Sequence, residues 1–196
     1  MVDEWKKAEK VLKDGGIIVA PTDTLYGMLA RAFDKKAVER IYQIKGRDEN
    51  KPFIILVTSM REIELFGFSV AKSSVMSRQL EEVCVPKVSV ILPCTLKKYA
   101  YLHRGSESLA FRIISKRNAH LYKLIQRVGP LVAPSVNPQG AIPAYTIPEA
   151  KKYFGKAVDA YVARGKRTGK PSTIVSLLKG KIEIIRQGQV VIQTKK

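Results

Sequence analysis

Histidine and cysteine are nearly missing from this chain of 196 residues, which holds only His103, His120, Cys84 and Cys94. Neither cysteine has a Cys-x-x-Cys partner or a nearby histidine, so no zinc pattern exists and both read as free, partly buried thiols. The histidines are too scattered for a metal cluster or a Ser-His-Asp arrangement, and no metal ligands are expected. No apolar run approaches the roughly 20 residues that cross a bilayer. The opening Met1-Val2-Asp3-Glu4-Trp5-Lys6 mixes acids and bases and has no signal-peptide core. A cytoplasmic protein without membrane contact is expected. Gly-x-x-x-x-Gly-Lys-Ser and Gly-x-Gly-x-x-Gly are both absent, which excludes a P-loop and a Rossmann fingerprint. Repeats, linkers and low-complexity tracts are missing too, so residues 1–196 read as a single domain.

Acids are also scarce, with 17 Asp and Glu against 35 Lys and Arg, a net charge of +18. Such an excess attracts polyanions. It reads two ways: as a site for RNA or an anionic substrate, or as a lysine-rich surface of the kind some proteomes favour. The bases form no long block but cluster at Lys97-Lys98, Lys116-Arg117 and Arg164-Gly165-Lys166-Arg167.

What is present is an alternation of helical and strand patterns. The spacing of Trp5, Ala8, Val11 and Leu12 predicts a helix over 3–14, capped by Asp3 and stopped by Gly15-Gly16. Ile17–Ala20 reads as a buried strand and Pro21–Gly27 as a polar turn. A helix follows over 35–47 with Asp34 as N-cap, then a strand over Phe53–Val57 and helices over 59–66 and about 70–84. Val88–Leu92 is a strand, Lys97–Arg104 a basic loop, Leu109–Ile114 a strand, 117–127 a helix and Leu131–Ala133 a short strand. Pro148 opens a helix to Phe154, Val158–Ala163 is a strand and Arg164–Lys170 a mobile basic loop. Ser172–Leu178 and Ile182–Ile185 close the pattern as strands. The alternation predicts an α/β fold, a mixed open sheet with helices packed on it.

Several polar groups fall at the ends of these strands, where α/β sheets bind ligands: Thr24, Lys45 with Arg47, Ser135 with Asn137, and Arg186. Lys45 and Arg47 suit either the negative end of their helix dipole or a phosphate. Arg112 interrupts an apolar strand and needs either a ligand cleft or an ion-pair partner.

Six runs in order carry a family resemblance: Pro21–Gly27, Lys45-Gly46-Arg47, Leu109-Ala110-Phe111-Arg112, Pro134-Ser135-Val136-Asn137, Pro171-Ser172-Thr173-Ile174-Val175 and Ile185-Arg186-Gln187-Gly188. Through them the chain, from about Gly15 to Gly188, resembles the YrdC-like family of threonylcarbamoyl-AMP synthases, in its short form. The resemblance implies a twisted sheet with a basic concave face. It also implies a nucleotidyltransferase that makes threonylcarbamoyl-AMP and pyrophosphate from L-threonine, bicarbonate and ATP, for threonylcarbamoyl-adenosine modification of tRNA. By position, Lys45, Arg47, Lys51, Ser108, Asn137, Tyr145 and Arg186 would bind ATP, with Lys45 and Arg47 catalytic. Thr24, Arg112, Ser135 and Ser172 would hold threonine. Magnesium would bridge the phosphates, held by ATP oxygens. Implied partners are tRNA or double-stranded RNA and the proteins of a downstream threonylcarbamoyl-transferase complex.

The chain departs from the family pattern at Val85-Pro86-Lys87-Val88-Ser89, which replaces a Pro-Gly-Pro-hydrophobic-Thr run, and at Leu56, Lys51, Tyr145, Pro171 and Gln187. The Lys-Pro-Ser-Thr junction resembles the YciO branch. That branch implies the alternative, an RNA-binding protein of the same fold with little or no synthase activity.

Overall fold

The computed structural model describes residues 2–69 and 74–192. Helix α1 (Val2–Lys13) buries Trp5, Ala8 and Leu12 on one side. Asp3, expected as the cap, falls at the second residue of the helix, inside its first turn. Strand β1 (Ile18–Pro21) runs antiparallel to β2 (Tyr26–Arg31). β2 is a correction, because Tyr26-Gly27 reads locally as the end of a polar turn. Its strand character comes from pairing on both edges, in a hairpin with β1 on one side and with the distant β6 (Leu131–Val132) on the other.

Helix α2 (Lys35–Lys45) starts where the Asp34 carboxylate accepts the Ala37 amide at 3.0 Å, as expected. It stops at Gly46, whose φ of 56° is the left-handed conformation that favours glycine. Then come β3 (Ile54–Val57), α3 (Met60–Glu64) and α4 (Val75–Val83). Residues 70–73 of the helix expected over 70–84 lie outside the described residues. After β4 (Val88–Pro93), the expected loop Lys97–Arg104 is instead a 3-10 turn at Lys97–Tyr99 and the short helix α5 (Ala100–His103). Tyr99 and Leu102, three residues apart, are both buried and fold this basic segment onto the core.

Strand β5 (Ser108–Ile113), α6 (Ala119–Val128) and α7 (Ile147–Phe154) follow, the last with a reciprocal capping box between Thr146 and Glu149. The strand expected over Val158–Ala163 shrinks to β7 (Ala160–Tyr161), and β8 (Thr173–Ser176) and β9 (Glu183–Arg186) complete the chain.

The strands form one open sheet of nine among the described residues, in the order β7-β1-β2-β6-β3-β5-β4-β8-β9. The pairs β1/β7, β3/β5 and β4/β8 are parallel and the others antiparallel, so the expected mixed α/β sheet is present.

Strand alternation sends its residues to two different environments. One face, with Val19, Met28, Ile55, Val57, Val90 and Phe111, is apolar along most of the sheet and is covered by α2, α3, α4 and α7. The other face is apolar only over part of its width. There Ile18, Ala20, Leu29, Leu56 and Leu131 pack under α1 and α6. The boundary falls at a single register pair, where Leu56 on β3 stands beside Arg112 on β5. Beyond it the face carries Ser89, Ser172 and Ile174. That uncovered part holds the candidate site.

Candidate functional site

A cavity of about 470 Å³ opens where the apolar face ends. The β1–β2 turn supplies Thr22 and Thr24, the exit of α2 supplies Arg47, and β5 supplies Arg112. Ser135 follows β6, Tyr145 precedes α7, and Ser172 and Arg186 come from β8 and β9 and their approach. The Thr22 hydroxyl donates to the Leu25 carbonyl at 2.7 Å and lies 3.2 Å from the Thr24 hydroxyl, which fixes the turn. The Pro134-Ser135 backbone completes the wall. Met28 N–H donates to Pro134 O at 2.9 Å, and Gly27 bridges Ser135. A side chain at Gly27 would meet Thr22 Cγ2 at 2.9 Å, so this crossing needs glycine.

The cavity is cationic. Arg112 is 4% exposed, and its Nε lies 3.2 Å from Asp23 Oδ1. The contact is close but not aligned as a hydrogen bond, and neither Asp23 oxygen has a hydrogen-bond partner among the described residues. Burial lowers the Arg112 pKa from its ordinary value, and Asp23 opposes that shift. Arg186 donates twice to Ser172 O, at 2.9 and 3.2 Å, and the Ser172 hydroxyl meets that of Ser89 at 3.1 Å. Burial and then the like charge of Arg112 lower the Arg186 pKa. Arg47 is lowered by burial, with Tyr42 and Asp48 partly offsetting it. Three guanidinium groups thus face a cavity that no carboxylate among the described residues lines. Such a wall suits an anion held through bidentate forks.

Arg112 has an ion-pair partner and also lines the cavity. Asp23 was missed as a site residue. Only its place beside Thr22 and Thr24 hinted at a role, because nothing local reveals that this turn meets β5.

Four residues expected at the site do not line the cavity. Lys45 is 3% exposed, and its ammonium donates to Ser135 O at 2.5 Å and to Asn137 O. Burial, then Arg47, lowers its pKa to about 7. Lys45 therefore ties the end of α2 to the Ser135–Asn137 turn. Asn137 folds inward, donating to Pro138 O and Ala141 O and accepting from the Ser135 hydroxyl at 2.6 Å. Both follow one rule: a buried or half-buried donor beside a turn is satisfied by the nearest carbonyls. Lys51 is exposed, 3.5 Å from Asp48. Ser108 opens β5, and its hydroxyl bonds to that of Ser106.

The Arg164–Lys170 loop, expected to be mobile, is tethered instead. The Tyr26 hydroxyl donates to Gly165 O at 2.8 Å and accepts from Arg164 N–H at 2.9 Å. Arg167 N–H donates to Tyr145 O at 2.8 Å.

A mixed, open α/β sheet carries, on the uncovered part of one face, a cationic, hydroxyl-lined cavity of the kind that suits small anionic ligands. More particularly, the chain belongs to the Sua5–YciO–YrdC family, described under telomere recombination, whose sequence model matches residues 10–188. A putative threonylcarbamoyl-AMP synthase of Methanocaldococcus jannaschii is 31% identical over 97% of this chain and 90% of its own length. A threonylcarbamoyl-AMP synthase of Cellvibrio japonicus is 29% identical over 89% of this chain and 92% of its own.

Among solved structures, Pyrococcus abyssi Sua5 complexed with L-threonine superposes with a TM-score of 0.83 at 24% identity, over 94% of this chain and 54% of that one. Escherichia coli YciO superposes with a TM-score of 0.80 at 23% identity, over 96% of this chain and 90% of that one. These two likenesses concern the fold. The chain spans about half the length of the Pyrococcus protein.

Proposed function

We propose that the protein is an L-threonylcarbamoyladenylate synthase, a nucleotidyltransferase that joins L-threonine, bicarbonate and ATP for tRNA modification. The observation that carries this is the convergence of Arg47, Arg112 and Arg186 with the hydroxyls of Thr24, Ser135 and Ser172 on one cavity wall. The kinship with synthases of similar length supports it.

Arg112 pairs with the threonine carboxylate, and Thr24, Ser135 and Ser172 hold its remaining polar groups. Arg47 and Arg186 hold the triphosphate, with Tyr145 beside it. Lys45 acts through the Ser135–Asn137 turn, while Lys51, Ser108 and Asn137 lie outside the cavity wall. The threonine amine takes up bicarbonate as a carbamate with loss of water. A carbamate oxygen then attacks the α-phosphorus and pyrophosphate leaves. The step joins two anions, so positioning and guanidinium charge supply the catalysis without a histidine base. No group of three His, Cys, Asp or Glu side chains among the described residues makes a metal cage. Magnesium fits as a companion of the ATP oxygens, where it neutralises phosphate charge. The product passes to a threonylcarbamoyl-transferase complex in the cytoplasm. No helix among the described residues is long and apolar enough to cross a membrane.

Pyrophosphate release from ATP tests the proposal. It should require both threonine and bicarbonate, and serine should support it poorly; release indifferent to threonine sinks the reading. Arg47→Ala should lower turnover about 100-fold or more with its melting temperature kept, and unchanged turnover removes Arg47 from the phosphate site. The net charge of +18 favours one second reading, RNA binding with little synthesis. Its mark is steeply salt-dependent binding of double-stranded RNA or tRNA by a protein that releases no pyrophosphate.

A further inference from the structure

Beside the cavity lies a run of four flat groups. The Arg104 guanidinium sits 4.0 Å from the centroid of the Tyr42 ring. Tyr42 stacks on Phe53, with 4.0 Å between centroids and 20° between planes. The Arg47 guanidinium lies over Phe53 at 5.3 Å. Glu39 secures the outer end, 2.6 Å from Arg104 Nη2. At the inner end one carbonyl takes two donors: Lys51 O accepts from the Tyr42 hydroxyl at 3.0 Å and from Arg47 Nε at 3.3 Å. Both rings are 3% exposed, and Phe53 and Arg47 line the cavity.

We infer that Phe53 and Tyr42 are positioning residues for the triphosphate, acting through Arg47. An arginine side chain has many rotamers, and fixing one of them opposes binding. Here the π face of Phe53 and the Lys51 carbonyl hold the side chain before any ligand arrives. The bond to Lys51 O uses Nε and leaves both Nη groups, the fork that matches a phosphate, without an acceptor among the described residues.

The arrangement needs all its parts. Tyr42 belongs to the last turns of α2, and Gly46, at φ 56°, reverses the chain so that Arg47 returns toward Phe53. Arg104, itself left-handed at φ 51°, closes the stack from another part of the chain. A ring pair serving only as core would need no cation over either ring.

The inference rests on the assignment of Arg47 to the triphosphate, and its test is built on binding rather than turnover. Calorimetry with ATP and, separately, with L-threonine is run on wild type, Phe53→Leu and Phe53→Tyr, with melting curves for each. Phe53→Leu should raise Kd for ATP about fivefold, equivalent to ~1 kcal/mol, and leave Kd for threonine within twofold. Phe53→Tyr, which keeps the π face, should restore ATP binding to within twofold of wild type. Turnover should show the same split, with KM for ATP rising more than kcat falls. Should Phe53→Leu melt early, Phe53→Met replaces it, being unbranched, better able to fill the gap and without a ring.

An ATP Kd unchanged in the folded ringless variant overturns the inference. So does equal weakening of threonine binding, or failure of Phe53→Tyr to restore. Wild type that binds ATP but releases no pyrophosphate with threonine overturns the synthase reading alone.

Discussion

Arg112 and Asp23 face each other almost wholly out of solvent, at 5% and 11% side-chain exposure, and without an aligned hydrogen bond. Removing one member of such a pair leaves the other charge uncompensated, at a cost of about 3 kcal/mol. Asp23→Asn should therefore lower the melting temperature of the free protein, and threonine should recover more of that loss than it adds to wild type. Equal shifts by threonine in both proteins would show that no substrate carboxylate reaches Arg112.

Lys45 gives a pH signature of defined sign. Its folded pKa of about 7 lies below the ordinary 10.5, so between those values the unfolded chain binds the extra proton. Raising pH across that window stabilises the fold, by at most ~1.4 kcal/mol per unit. Denaturation of wild type and Lys45→Met at pH 7 and 9 should show wild type gaining on the variant; a constant gap contradicts this. Lys45 also marks the limit of reading from sequence. The end of a helix told that a cation belongs at Lys45, but not that two carbonyls ninety positions on would claim it.

Among the elements, those with a strong local signature were legible. The Asp34 cap, the buried β-branched strands and the proline-opened α7 depend on near neighbours, and they stand where their residues suggest. β2 and α5 were not legible, because β2 is specified by pairing on both edges and α5 by Tyr99 and Leu102 docking from a lysine-rich stretch. The Arg186–Gly188 run was legible as a motif while its reason was not. Gly188 donates to the Thr173 hydroxyl, and a Cβ there would lie 2.3 Å from Pro171 O and 2.4 Å from the Ser172 carbonyl carbon. Backbone atoms cannot yield cheaply, so Gly188→Ala should push the 171–173 segment outward. The expected result is a lower melting temperature and a raised KM for threonine through Ser172. A variant with wild-type KM would detach this glycine from the site.

For the whole molecule, the alternation of helices and strands announced a mixed α/β sheet, but strand order and the division of its second face did not follow from any local pattern. That division follows from Leu56 and Arg112 being neighbours across β3 and β5. It has a consequence for how the fold breathes. Under α1 and α6 the sheet is packed on both faces, whereas β8 and β9 lie toward one edge with solvent on the cavity side. Local opening starts where apolar contacts are fewest. Amides of β8 and β9 should exchange their hydrogens well before those of β1 and β3, and threonine with ATP should slow the former far more than the latter. Substrates would then act as the missing cover of the sheet, completing for the duration of a turnover a layer that the polypeptide leaves open.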